Sequence, residues 1–448
     1  MYPYRKRLHH LLIAAAAIAV LSGCGSGGGA SPSANPSAQG PSSAAPSAPS
    51  GTIPATPSPG SAESSPPASS PTPSETSGDP LRDKIAGMTL EEKVGQMILV
   101  GFEGKQTLDA ETLRMIQQDH VGGVILYAPN VSDIKGTVSL INKLKKANAA
   151  NPAPLFVSVD QEGGKVSRMP KDELVSFPPN ATVGRTKSAK LAEEMGSLLA
   201  EEIKALGFNV DFAPVLDINS NPNNPVIGNR SFGATADLVT KLGMAEMKGM
   251  RDAGIVSVVK HFPGHGDTGV DSHLDLPVLK KTTDQLRRLE WIPFEEAVKQ
   301  HADAVMVAHI LFPLIDPDAP ASFSKTIIGE QLRGTLGYDG VVITDDLTMG
   351  AIAKHYDLAK VVVDTVQAGS DILLAGHGYD TEKTVRQALL HAVQNGDLTE
   401  QRIDESVYRI LSLKDKYKMT DRSVPVPKVA DLNDRIRAWK SAVTAAAK

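Results

Sequence analysis

A chain of 448 residues, 41% hydrophobic and 22% charged, has the length and apolar content to bury a full core and is not disordered overall. Its net charge of −5 gives no sign of a surface built for nucleic acid. Aromatic residues make up 4%, which argues against the stacking platforms that hold single strands, so no nucleic-acid partner is expected.

The first element in chain order is a targeting segment. Basic residues Arg5 to Arg7 precede the apolar run LLIAAAAIAVL, whose 11 residues fall short of the ~20 a membrane-spanning helix needs and suit the core of a signal peptide. Directly behind it stands LSGC, ending at Cys24, the single cysteine of the chain. One cysteine cannot close an intramolecular disulfide, and a stray thiol is the plain alternative. LSGC in this place resembles the lipobox of bacterial lipoproteins. That likeness implies a signal peptide over residues 1–23, lipidation of Cys24 and an extracytoplasmic protein anchored to the bacterial cell membrane, stably so with more than one acyl chain.

From Gly25 to Pro80 the sequence is dominated by Ser, Pro, Ala, Gly and Thr and has no aromatic residue, Lys or Arg. It cannot bury enough apolar area to offset ordering entropy, so residues 24–80 are expected to form a disordered tether. Its reach would lie between ~40 Å as a flexible coil and ~170 Å as extended polyproline.

The remainder alternates apolar runs with amphipathic stretches. Candidate strands are QMILVGF, GGVILYA, PLFVSVD, NVDFAPVLDI, IVSVVKHF, DAVMVAHI, GVVITDD and SDILLAG. Between them, SAKLAEEMGSLLAEEIKALG and TADLVTKLGMAEMKGMRDAG each close on a glycine where a helix C-cap is expected. Eight such runs with intervening helices predict an α/β fold, a (β/α)₈ barrel over residues 81–420, with an open doubly wound sheet as the alternative. No G-x-G-x-x-G follows an early strand, and GSGGGAS lies in the tether, so no nucleotide cofactor is expected.

A barrel places its chemistry on the loops after the strand C-termini. Polar residues stand there: Asp160, Gln161 and Glu162, then Asp217, the Lys260–His261 pair, His309, and Asp345 with Asp346. Any one of these could be a cap or turn residue, whereas five strands ending alike point to a site. The Gly-Pro-rich stretch KHFPGHGDTGVDSHLDLP, Lys260 to Pro277, holds three histidines and three aspartates. It has no paired metal-ligand spacing, so no metal is expected. Acid–base work suits it better. In an extended loop Asp271 and His273 would project to the same side, and a carboxylate beside an imidazole fixes its tautomer and stabilises its charged form.

Four motifs in order, VDQEGGKVSR (Val159 to Arg168), PVIGNRSFG, the Lys260–Pro277 stretch and GVVITDDLTMGAI, resemble glycoside hydrolase family 3, within it the β-N-acetylhexosaminidase (β-N-acetylglucosaminidase) branch. The likeness runs from about Leu90 to about Met419; LEWIPFEEAV and RIDESVYRILSLKDKY also look like family helices. It implies that Asp345 is the nucleophile of a retaining reaction through a covalent glycosyl-Asp intermediate, with Asp346 as a cap or support. It implies that His273, paired with Asp271, is the acid/base in place of the usual second carboxylic acid. It further implies that Asp160, Arg168, Arg230, Lys260 and His261 hold the terminal N-acetylglucosamine. For Arg168 and Arg230 a structural ion pair at the barrel rim is the competing role. Asp217 and His309 would support from behind, and His265 would shape the loop.

The family's frequent second domain has no counterpart in residues 421–448, where Val429, Leu432, Ile436, Trp439 and Val443 recur at helical spacing and predict one helix packed on the barrel. The expected function is an exo-acting retaining β-N-acetylhexosaminidase acting on GlcNAc-containing muropeptides or chito-oligosaccharides, monomeric and without cofactor. Phosphorolysis, β-glucosidase activity and non-catalytic sugar binding are the alternatives.

Overall fold

The structure, a computed structural model, describes residues 78–448 except Lys105; the signal segment, Cys24 and nearly all of the tether fall outside the described residues. Each of the eight apolar runs contributes a strand: β1 (Ile98–Val100), β2 (Gly123–Ile125), β3 (Phe156–Val159), β4 (Val210–Asp211), β5 (Val256–Phe262), β6 (Ala304–Val307), β7 (Val341–Thr344) and β8 (Leu373–Ala375). Every residue in all eight is buried. Continuous apolar runs of this kind belong to parallel strands covered on both faces.

All the pairings are parallel, in the order β7-β6-β5-β4-β3-β2-β1-β8. The ring is completed between β7 and β8 by the bridge Ile343↔Ile372, with the Thr344 N–H donating to Ile372 O at 3.0 Å. Two side chains take over where the backbone ladder is short: Thr344 Oγ1 accepts from the Leu374 N–H at 3.0 Å, and Asp346 Oδ1 from the Gly376 N–H at 2.9 Å. The protein is a (β/α)₈ barrel, not an open sheet.

Leu99, Phe156, Val210, Val256, Ala304 and Ile343 meet around a small void inside the ring. The floor is closed by helix Glu400–Lys416, whose Lys414 is buried over the Phe156 ring and donates to Gln96 Oε1 at 2.8 Å and Gly122 O at 2.9 Å. With no carboxylate in contact among the described residues, burial pushes its ammonium down to about 7.

Helix Ala189–Leu206 starts where the Ser188 hydroxyl accepts the Leu191 N–H and stops at Gly207, whose φ of 105° is costly for any other residue. It packs on helix Ala236–Asp252, and two glycines allow the approach. A Cβ at Gly196 would stand 2.1 Å from Glu246 O, and one at Gly249 2.1 Å from Glu193 O.

The C-terminal stripe forms helix Ala430–Ala446, burying Ile436, Trp439 and Val443. The Trp439 indole N–H donates to Leu191 O at 2.9 Å and its ring packs on Phe177. Asn433 accepts the Val175 N–H and donates to Glu173 O, so this helix grips the loop that follows β3.

Candidate active site

The loops at the strand C-termini enclose a cavity of about 440 Å³, within the range of small-molecule sites. Asp160, Arg168, Arg230, Lys260, His261, His273 and Asp345 all line it. Asp271 stands behind His273.

The sugar-facing candidates are organised by a residue behind them, Glu162. Its carboxylate accepts both arms of the Arg230 guanidinium, Nε to Oε2 at 2.8 Å and NH2 to Oε1 at 2.7 Å, and lies 2.7 Å from the Lys260 ammonium. Burial opposes that charge, but Arg230 and Lys260 outweigh it and hold the carboxyl far below the usual range. Lys260 also donates to Asp160 Oδ1 at 2.6 Å, and Arg168 reaches Asp160 Oδ2 at 3.9 Å. Burial would lower the Lys260 ammonium, yet Asp160 and Glu162 raise it, so it stays charged. Arg230 is therefore a buried ion-pair member, the structural role weighed for it, and it also forms part of the cavity wall.

Behind the cavity, Asp217 orders two histidines. Its Oδ2 meets His261 Nδ1 at 2.7 Å, and its Oδ1 accepts the backbone N–H of His265 at 2.7 Å. His265 is held between Thr268 Oγ1 and Ser272 Oγ, and burial, with the nearby charge of His261, pushes it down to about 4, so it is neutral. It shapes the loop and also forms part of the cavity wall.

The two aspartates after β7 divide sharply. Asp346 accepts the Thr348 and Gly376 N–H groups and meets His377 Nδ1 at 3.1 Å. It is a support that ties the end of β7 to the end of β8. Among the described residues Asp345 accepts only the Asp346 N–H, on Oδ1 at 2.9 Å, which leaves Oδ2 without a partner there at the cavity wall. Among the described residues nothing forms an ion pair with Asp345. Burial works to raise its carboxyl, but the fields of His261 and His309 and the Asp346 N–H hold it below the ordinary value. His309 itself is buried, donating from Nε2 to Asp346 O at 3.0 Å, with Nδ1 meeting Ser322 Oγ. An ionised carboxylate with one uncommitted oxygen can attack an electrophilic carbon.

The Asp271–His273 pair forms, but not as extended chain. The Leu274 and Asp275 N–H groups both donate to Asp271 O, making a turn, and Asp271 Oδ1 accepts the His273 N–H at 3.0 Å as well as meeting its Nδ1 at 2.7 Å. An Asp side chain bonding the backbone two residues on outcompetes the extended form. The turn is docked by the Gly350 and Ala351 N–H groups on His273 O and Ser272 O. Burial would raise the Asp271 carboxyl, but its bonds to His273 pull it below the ordinary range. With Nδ1 engaged, Nε2 of the exposed imidazole is the nitrogen left to exchange a proton.

The sequence reading missed three contributors. Glu162 was visible only as a strand-end acid; Tyr127 and His377 carried no signal at all. Their rings stack at 4.8 Å across the β2 and β8 loops and line the cavity.

Residues 89–413 match the family described as "Glycosyl hydrolase family 3 N terminal domain". The chain is 34% identical over 377 residues to a protein of Pseudoalteromonas piscicida named "Beta-hexosaminidase A", covering 76% of this chain and 63% of that one. A "Beta-hexosaminidase" of Stenotrophomonas maltophilia is 35% identical over 308 residues, 67% of this chain and 88% of its own. Among solved structures, a family 3 β-N-acetylglucosaminidase from Paenibacillus superposes with a TM-score of 0.74 at 42% identity, over 79% of this chain and 68% of that one. A β-N-acetylhexosaminidase from Beutenbergia cavernae gives 0.69 at 31%, over 74% of this chain and 99% of its own. With the barrel, its carboxylate-lined mouth and a family match spanning most of the chain, this protein belongs to glycoside hydrolase family 3.

Proposed function

We propose that this chain is an exo-acting retaining β-N-acetylhexosaminidase that releases terminal N-acetylglucosamine from peptidoglycan fragments. The observation that carries the reading is that the free Asp345 oxygen and the Asp271-bound His273 open onto one cavity. The names of the relatives support the choice of sugar.

In the first step Asp345 Oδ2 attacks the anomeric carbon while protonated His273 gives its Nε2 proton to the leaving oxygen; the glycosidic C–O bond breaks as the glycosyl–Asp345 ester forms. Asp271 stabilises the imidazolium and keeps the Nδ1–H tautomer afterwards. In the second step Nε2 takes a proton from water, the water oxygen bonds to the anomeric carbon, and the ester breaks with Asp345 restored. Asp160, Arg168, Arg230, Lys260 and His261 present charged donors and acceptors to the sugar hydroxyls. Cys24 would carry the lipid anchor, and the protein would act as a monomer outside the cell membrane.

The test is release of p-nitrophenol from the β-N-acetylglucosaminide and the β-glucoside, with and without phosphate, by the form beginning at Ser77 and by Asp345→Ala and His273→Ala. Strong preference for the N-acetyl substrate is expected, with Asp345→Ala lowering kcat by at least ~10³-fold. Acceleration by phosphate would redirect the reading to a phosphorylase. No turnover by folded protein would leave a sugar-binding lipoprotein.

A further inference from the structure

Among the described residues the strongly exposed large apolar side chains are Val270 (42%), Leu274 (65%), Val278 (50%), Leu314 (58%) and Val426 (53%). Singly scattered ones need no account, but a cluster does. Four of the five fall on two neighbouring segments, the loop carrying His273 and the loop after β6. These are stitched together by the Leu279 N–H on Leu311 O and the Leu311 N–H on Pro277 O, each 2.9 Å.

From Pro263 to Pro277 the polar side chains are turned to partners. His265 is held by Thr268 and Ser272, Asp271 by His273, Asp267 by Lys281 and Asp275 by His355. The exposed large apolar residues nearest His273 along the chain are Val270 and Leu274.

In the reaction proposed above, the bond that breaks lies between Asp345 and His273. Whatever the leaving oxygen carries must then extend outward on the His273 side, where the next residue along the chain is the exposed Leu274. We propose that Val270, Leu274, Val278 and Leu314 form a leaving-group subsite that favours aglycones bearing an apolar substituent over bare sugars and small polar groups. The inference rests on the function proposed above, and its occupant is the substrate's own leaving group.

The test compares kcat/KM for the methyl and hexyl β-N-acetylglucosaminides. Their alcohols have similar acidity, so leaving-group chemistry is constant and only apolar contact varies. With about fourfold per buried methylene, burial of two methylenes predicts a hexyl preference on the order of 10-fold. The Val270→Ser/Leu274→Ser double variant should bring the ratio close to one, and Leu314→Ser alone should lower it in part. These positions are exposed, and an unchanged melting temperature will verify that the variants fold.

A wild-type ratio near one, or a ratio untouched by the double variant, overturns the inference. So does sedimentation of the wild type as a dimer that the double variant converts to monomer, because the patch would then be a self-association face. Absence of methyl glycoside turnover by folded wild type would instead count against the proposed function, which keeps the two failures apart.

Discussion

At Glu162 a single carboxylate, 1% exposed, accepts the fork of Arg230 and the Lys260 ammonium together, and both cations stand in the cavity wall. Changing it to Gln keeps the shape and removes the charge, leaving two buried cations short of a partner. Glu162→Gln should cost roughly 3–5 kcal/mol of stability and raise KM for the sugar more than it lowers kcat, as measured by denaturant unfolding and steady-state kinetics. Of the residues that line the cavity, Asp160, Lys260, His261 and Asp345 were legible because each stands at or beside the C-terminal end of a strand, where a barrel exposes its side chains. Arg168, Arg230 and His273 lie well out on the loops; the two arginines came from the family likeness alone, and His273 from that likeness and its spacing to Asp271. Glu162 escaped because one residue in DQE faces the cavity and another faces away, and the letters do not say which. Tyr127 and His377 escaped because their contact joins loops that only ring closure brings together.

At the level of elements, the strands were legible through unbroken apolar runs and the helices through amphipathic stretches that close on a glycine, Gly207 being the plainest, while the Ser188 cap emerged only in the structure. The Asp271–His273 turn was not, since a local side-chain bond decided between two backbone forms that the same residues allow. Helix Ala430–Ala446 was legible from its stripe, but its hold on the β3 loop was not: Asn433 bonds to Glu173 and Val175 across more than 250 positions of chain. Trp439→Ala should therefore destabilise by roughly 3–5 kcal/mol. Because Arg168 and Asp160 ride on the same loop, KM for the sugar should rise in the fraction that remains folded. A denaturant midpoint and a KM determined well below it will check both.

For the whole molecule, buried titrating groups set the pH at which the fold is most stable. Burial raises Glu202 to about 8, burial with the Asp119 charge does the same for Glu382, and Asp211 and Glu246 also lie well above their ordinary values. For each, the unfolded chain loses its proton first, so their contribution is present in mild acid and is lost as pH rises toward 8. Glu162, Asp217, Asp271 and Asp345 are held low; their contribution is present above the ordinary carboxylate range and disappears as pH falls below it. Lys414, lowered to about 7, adds stability only toward alkaline pH and loses it as pH falls through 7. The first two sets overlap near about pH 5. The melting temperature should be higher there than at pH 7.5, and Glu202→Gln should shrink the difference. A flat or inverted profile by calorimetry would contradict this.

The seam between β7 and β8 has one more consequence. A ring sealed by the Asp346 carboxylate, next along the chain from the free oxygen of Asp345, makes barrel closure and the placement of that oxygen a single constraint. At many sites an enzyme can gain robustness by giving up turnover. Here the two are joined by one peptide bond: a substitution that loosens the seam would also displace the carboxylate proposed as nucleophile, so neither can drift without the other.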